Sequence, residues 1–319
     1  MKTIKSLNFT WVVYLHFGLC ICLLLGACTP QQSSTSAQEQ DTEVGLYQAK
    51  DFTAEGGFTS GIEGPATDKA GNIYAVNFSE QGTIGIVSPT GESSLFVRLP
   101  AGSIGNGIRI NQEGDLFIAD YVGHNVLRID ATTKEISVHA HDSTMNQPND
   151  LAIASNGTLY ASDPNWKEGT GNLWRIDTDG SVYLLESDMG TTNGLELSPD
   201  ETKLYVNESV QRNVWVYDLS PEGTISNKRL LIQFPDFGMD GMRCDAQGNI
   251  FITRHAKGTV VVLSSTGELL HEVKLKGKKP TNITFGGPAG KTCYVTMMDR
   301  GSMETFMAEN PGRSWIMNQ

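Results

Sequence analysis

Three observations in the sequence predict an all-β fold, a six-bladed β-propeller with four-stranded antiparallel blades. One short phrase returns six times. Glu63, Asn106, Asn149, Asp240 and Asn282 each stand eight residues before a glycine (Gly71, Gly114, Gly157, Gly248, Gly290), and Asn193 stands before a turn at 198–202 that is one residue longer. The copies recur every 42 to 47 residues, the length of one propeller blade. Period-two apolar alternation fills the segments between them, and no helical pattern of ten or more residues follows the N-terminal region.

Each element of a blade has its own signal. After the polar residue comes a short run such as Ile108-Arg109-Ile110, Leu151-Ala152-Ile153 or Leu195-Glu196-Leu197, expected as the innermost strand. The turn that follows is rich in Gly, Asp and Asn, which tolerate positive φ and close tight hairpins. A second strand returns through triplets such as Asn72-Ile73-Tyr74 and Lys203-Leu204-Tyr205. The third carries alternating Val, Ile, Tyr and Trp, as in Asn125-Val126-Leu127-Arg128-Ile129 and Asn213-Val214-Trp215-Val216-Tyr217. Leu46-Tyr47-Gln48-Ala49 is the expected closing piece between the last blade and the first, because free sheet edges invite pairing with other chains. Six blades around one axis bring six oxygen-bearing side chains, two acids and four amides, towards one point. Such a set suits a hard divalent cation. The same residue types also cap turns locally, and for Asn106 and Asn282 the two readings stand level.

The N-terminus lies outside this pattern. Lys2 and Lys5 precede an apolar run from Val12 to Leu25 that ends in Leu25-Gly26-Ala27-Cys28. Small residues before a cysteine mark a lipoprotein signal peptide, whose thiol is lipidated and becomes the mature N-terminus. The run is short for a membrane span. The expected organisation is a signal peptide over 1–27, a flexible Gln/Ser/Thr tether over 28–45 starting at lipidated Cys28, and the propeller over 46–319. The expected location is a bacterial cell envelope, on its periplasmic or surface face, with the membrane met only through the lipid on Cys28.

Composition narrows the partners. The net charge is −12, and removing residues 1–27, which hold two lysines and no acid, makes it −14. An acidic chain without a Lys/Arg cluster is a poor nucleic-acid binder. Cys244 and Cys293 fit either a disulfide or two small buried hydrophobes, since neither has zinc or redox spacing. The sequence has no Gly-x-Ser-x-Gly elbow, no phosphate loop and no His-Glu-x-x-His. The head is expected to be a monomer.

Five phrases in order carry a resemblance: Glu63-Gly64-Pro65, Asn149-Asp150, Asn193-Gly194-Leu195-Glu196-Leu197-Ser198-Pro199-Asp200, Asp240-Gly241-Met242 and Thr281-Asn282-Ile283-Thr284-Phe285-Gly286-Gly287. The chain resembles the SMP-30/gluconolactonase/regucalcin-like family of six-bladed propellers over roughly residues 55–300. The resemblance implies one divalent cation on the axis, held by Glu63, Asn193 and Asp240. It leaves Ca²⁺, Mg²⁺, Mn²⁺ and Zn²⁺ open, with Ca²⁺ or Zn²⁺ favoured. It makes Asp240 the catalytic base as well as a ligand, and Asn149 a contact to substrate or to metal-bound water. One departure stands out. Many sugar-lactonase members carry an arginine two residues before that further asparagine, and this chain has Gln147 there. Arg254 and His255 end a second strand on the same side as the ring and are the expected replacements, joining Asn149 and Asn106 as substrate contacts. Asp120, Tyr121, Asp163, Trp166 and Glu208, at equivalent strand ends, are expected around the mouth.

The expected function is metal-dependent hydrolysis of a small, sugar-type lactone. A cation polarises the carbonyl and stabilises the oxyanion, and Asp240 handles the proton. Two alternatives stand beside it: a surface-tethered propeller that binds a glycan or protein without catalysis, and a related metal-dependent esterase or phosphotriesterase.

Overall fold

A computed structural model of the protein describes residues 45–318. The expected signal segment, most of the tether and Cys28 lie outside the described residues. Within them the chain forms six four-stranded antiparallel sheets, all but the last built of four strands consecutive in sequence and hydrogen-bonded in chain order. The innermost strands are Phe58–Thr67, Gly105–Ile110, Leu151–Ile153, Thr192–Leu197, Met242–Cys244 and Pro280–Gly286. Four contain one member of the repeated polar set, and the strands at Leu151 and Met242 begin two residues after theirs, Asn149 and Asp240. Blades are numbered one to six in that order.

Closure falls slightly later than Leu46–Ala49. Lys50–Asp51 forms the antiparallel outer ladder on Ser302–Met307 of blade six, while Leu46 makes a single parallel bridge to Met307. Tyr47, at φ 54°, turns the chain between them and stacks on His271 at 4.0 Å. The last blade therefore takes its fourth strand from the start of the chain, which leaves no open sheet edge at the seam.

The core lies between successive blades, where alternating strand residues interdigitate. Val76, Ile84, Ile108 and Ile118 join blades one and two, and Phe251, Val262, Phe285 and Cys293 join blades five and six. Cys244 and Cys293 are free and buried, so they serve as small hydrophobes rather than as a bridge. The one helix among the described residues, Arg313–Met317, follows blade six. Its buried Arg313 donates to the Ile153 carbonyl at 3.0 Å and pairs with Glu196 and Glu201 at 3.3 and 2.5 Å.

Candidate functional site

The polar ring is built by irregularity in the inner strands. Pairing with the second strand shifts register around Glu63, between Gly105 and Ile108, between Thr192 and Leu195, and between Pro280 and Ile283. Such bulges re-aim a side chain that regular pleating would place elsewhere. The residue after a ring member is often glycine, for steric reasons. Gly64 has φ +58°, and a Cβ there would lie 2.0 Å from the Asn106 carbonyl; at Gly241 it would lie 1.9 Å from Cγ of Asn282. Neighbouring inner strands also bond directly, Gly107 N–H to Asn149 O at 2.8 Å and Gly241 N–H to Thr281 O at 2.7 Å.

Above the ring opens a cavity of ≈ 550 Å³. Glu63, Asn106, Asn149, Asn193, Asp240 and His255 all line it. Of the expected metal, catalytic and substrate-binding residues, Arg254 alone is absent from the wall. Its guanidinium, 1% exposed, donates to the Asp236 carboxylate at 2.9 Å and to the Asp236 and Phe237 carbonyls, and lies over the Phe234 ring at 3.8 Å. Arg254 is therefore a strut behind the loop that carries Phe237 and Met239, not a substrate contact. Tyr121 and Trp166 reach the mouth as expected. Asp120, Asp163 and Glu208 are spent on backbone instead: Asp120 accepts from Gly123 N–H at 3.0 Å, Asp163 from Asn146 N–H at 2.8 Å and Glu208 from Gly190 N–H at 2.8 Å.

Glu63, Asn193 and Asp240 converge. All three line one cavity, and Asn193 and Glu63 both act on the Asp240 carboxyl, the amide lowering and the acid raising its proton affinity. Oε2 of Glu63 accepts from Gly64 N–H and from Asn282 Nδ2 at 3.0 Å. Asn282 is thus a holder of Glu63, and its own Oδ1 accepts from Ile283 N–H at 2.9 Å. Burial, followed by the Asp150 charge, pushes the Glu63 carboxyl up to about 7. Burial, followed by the Glu63 charge, pushes Asp240 well above the usual carboxylate range. His255 Nδ1 sits 3.6 Å from Asp240 Oδ2, and burial lowers its proton affinity, so the imidazole faces Asp240 neutral near pH 7.

Two amide oxygens decide whether these residues fit a cation. Asn193 Nδ2 donates to Ser209 Oγ at 3.0 Å, fixing the amide orientation and leaving its Oδ1 buried with no partner. Asn149 Oδ1 is likewise buried without a partner. An unpaired buried acceptor costs about 1–3 kcal/mol, and two of them beside two partly protonated acids form an incomplete oxygen set. Among the described residues no three His, Cys, Asp or Glu side chains form a metal-holding group. A cation here would have to be held by two acids and amide oxygens, a hard-oxygen set of the kind that suits Ca²⁺ or Mg²⁺.

Below the ring lies a charged layer that the sequence reading passed over. Asp150 sits between Arg109 at 3.1 Å and Arg243 at 3.4 Å, and Arg243 also donates to the Pro65 carbonyl at 3.4 Å. All three side chains are buried. Arg109 and Glu196 are the middle residues of inner-strand runs that read as apolar, so strand alternation turns them towards the axis. The cavity wall adds Phe237, and with it Ser209, Arg212, Met239 and Met298, which went unread in the sequence.

Comparison with known proteins follows this geometry. The family model for the SMP-30/gluconolactonase/LRE-like region matches residues 63–299. A gluconolactonase of Zymomonas mobilis is 30% identical over 269 residues, covering 73% of this chain and 75% of its own. A pentonolactonase of Haloferax volcanii is 30% identical over 193 residues, covering 60% and 66%. A calcium-binding regucalcin of Agrobacterium tumefaciens superposes with a TM-score of 0.72 at 20% identity, over 84% of this chain and 96% of that one. The last likeness is one of fold.

Proposed function

The chain belongs to the SMP-30/gluconolactonase/LRE-like family, and from that premise we propose that it opens a small lactone by hydrolysis at a divalent-cation centre formed by Glu63, Asn193 and Asp240. The observation that carries the reading is the pair of buried, unpartnered amide oxygens on Asn149 and Asn193 beside the two acids. A surface-binding propeller has no use for that arrangement. A divalent cation bound there would polarise the lactone carbonyl and stabilise the oxyanion that develops.

The residues of the chain do the rest. Asp240 accepts a proton from the attacking water and returns it to the ring oxygen as the acyl–oxygen bond breaks, giving the open hydroxy acid. A base of raised proton affinity suits that task near neutral pH. Ser209 holds the Asn193 amide, and Asn106 Nδ2 donates to the backbone carbonyl of Asn149 at 3.1 Å, so the Asn193 and Asn106 amides are oriented before substrate arrives. Tyr121, Trp166, Phe237 and Met239 line the cavity and limit water around the reacting group. The catalytic set needs no Ser or Cys nucleophile.

The test is a panel of aldono-, γ- and δ-lactones followed by acid release with a pH indicator. Opening of at least one, abolished by chelation and restored by Ca²⁺, Mg²⁺, Mn²⁺ or Zn²⁺, supports the reading. Activity indifferent to chelation, or none on any lactone, counts against it.

A further inference from the structure

We propose that Arg212 is a docking group for an anion, so that the preferred substrate is a lactone carrying a second, negatively charged group such as a carboxylate, sulfonate or phosphate. The inference rests on the hydrolase reading above and adds the substrate class.

The argument begins with a backbone position. In every blade the residue just before the third strand closes a turn in the left-handed region. Four blades place glycine there: Gly82, Gly169, Gly258 and Gly301, with φ between +56° and +76°. Blade two has His124 at φ 57° and blade four has Arg212 at φ 64°. A side chain at such a φ is strained, whereas glycine adopts it freely. Strain of this kind gathers at functional sites. His124 is away from the cavity, but Arg212 lines it.

The guanidinium is also unused by the protein. Among the described residues no carboxylate pairs with it, and its Nε is buried without a hydrogen-bond partner. The neighbouring Arg254, by contrast, is neutralised by Asp236. Arginine presents a planar fork of donors suited to carboxylate, sulfonate or phosphate oxygens. Among the lining residues Arg212 is the one arginine, none is a lysine, and His255 faces Asp240. The cavity therefore has an acidic floor where a cation fits, apolar sides at Ile62, Val210, Met239 and Met298, and one positive group elsewhere on its wall. Ser209, which holds the ligand amide of Asn193, and Arg212 are on the same turn, three residues apart. Three residues span at most about 11 Å, so a substrate held at both places is small.

The experiment compares ligands that differ in one charge. Binding of gluconate and of glucarate, which adds a terminal carboxylate, is measured by titration calorimetry on the full protein and on Arg212→Gly, Arg212→Gln and Arg212→Lys. Arg212→Gly installs the residue the turn favours, so it keeps the fold and relieves strain. Expected is a preference for glucarate of about ten- to a hundredfold, lost in the Gly and Gln variants and partly kept in Lys. Gluconates with a terminal sulfonate or phosphate form parallel arms, and the tightest identifies the anion. The ratio of kcat/KM for charged over uncharged lactone should fall in step. Equal affinity for gluconate and glucarate in the unaltered protein, or a preference that survives Arg212→Gly, overturns the proposal. A preference that depends on Arg212 in a protein that opens no lactone supports the anion site while removing the hydrolase reading.

Discussion

Glu63 and Asp240 line the same cavity from different blades, and the Glu63 charge is the largest cause after burial of Asp240's raised proton affinity. Two buried acids that raise each other's proton affinity at the floor of one cavity cannot both ionise at low cost. Either a proton or a cation must sit with them. The buried, unpartnered amide oxygens of Asn149 and Asn193 bias the site towards the cation.

This relationship predicts a pH dependence. Glu63 titrates near 4.5 in an unfolded chain and at about 7 in the fold, so the folded state holds the extra proton between those values. Stability of the cation-free protein is therefore fully present at pH 4.5 and below as far as Glu63 is concerned, and falls as pH rises towards 7. The loss is about 3 kcal/mol. Thermal unfolding in chelator should show Tm falling across that window, and saturating Ca²⁺ should flatten the fall. A Tm in chelator that rises from pH 5 to 7 would contradict it, unless Glu63→Gln makes that rise steeper.

Glu63→Gln removes one charge from the cation set but keeps an oxygen. Cation affinity should drop about ten- to a hundredfold, a range typical of lost charge-assisted contacts, and added cation should restore part of the activity. Calorimetric titration of Ca²⁺ into both proteins measures it.

Arg254 should act on stability before substrate. Its guanidinium is sandwiched between Phe234 and the Asp236–Phe237 backbone, so Arg254→Ala should cost about 2 kcal/mol and loosen the loop, visible as faster amide exchange at residues 236–239. An unchanged Tm with a raised KM would return Arg254 to the substrate.

The sequence reading that Cys28 is lipidated makes a separate prediction. Cys28→Ser should move the expressed protein from the membrane fraction to the soluble fraction. Retention at the membrane in that variant would rule the anchor out.

The blades and the ring were legible because both are local. A turn glycine and the polar residue eight positions earlier share one hairpin, and repetition of that hairpin gives the architecture. The two-residue closing ladder was placed too early, since Tyr47 turns the chain and the seam has no repeat to set its register. Arg254 misled because the direction of a strand-end side chain depends on the loop that meets it, here Asp236–Phe237 from an earlier stretch of chain. Arg109, Glu196 and Arg243 were hidden inside strands taken as apolar, although alternation alone turns the middle residue to the axis. Arg212 had a signal that went unread: it stands where four blades have glycine.

The most direct test of the account is Asp240→Asn, followed by two readouts on one preparation. Asparagine keeps an oxygen for the cation and removes the base. The account predicts that a divalent cation still binds at the centre while lactone turnover falls about 10²- to 10⁴-fold, the range for loss of a positioned base. A variant that binds the cation and opens lactone as fast as the unaltered protein would contradict it.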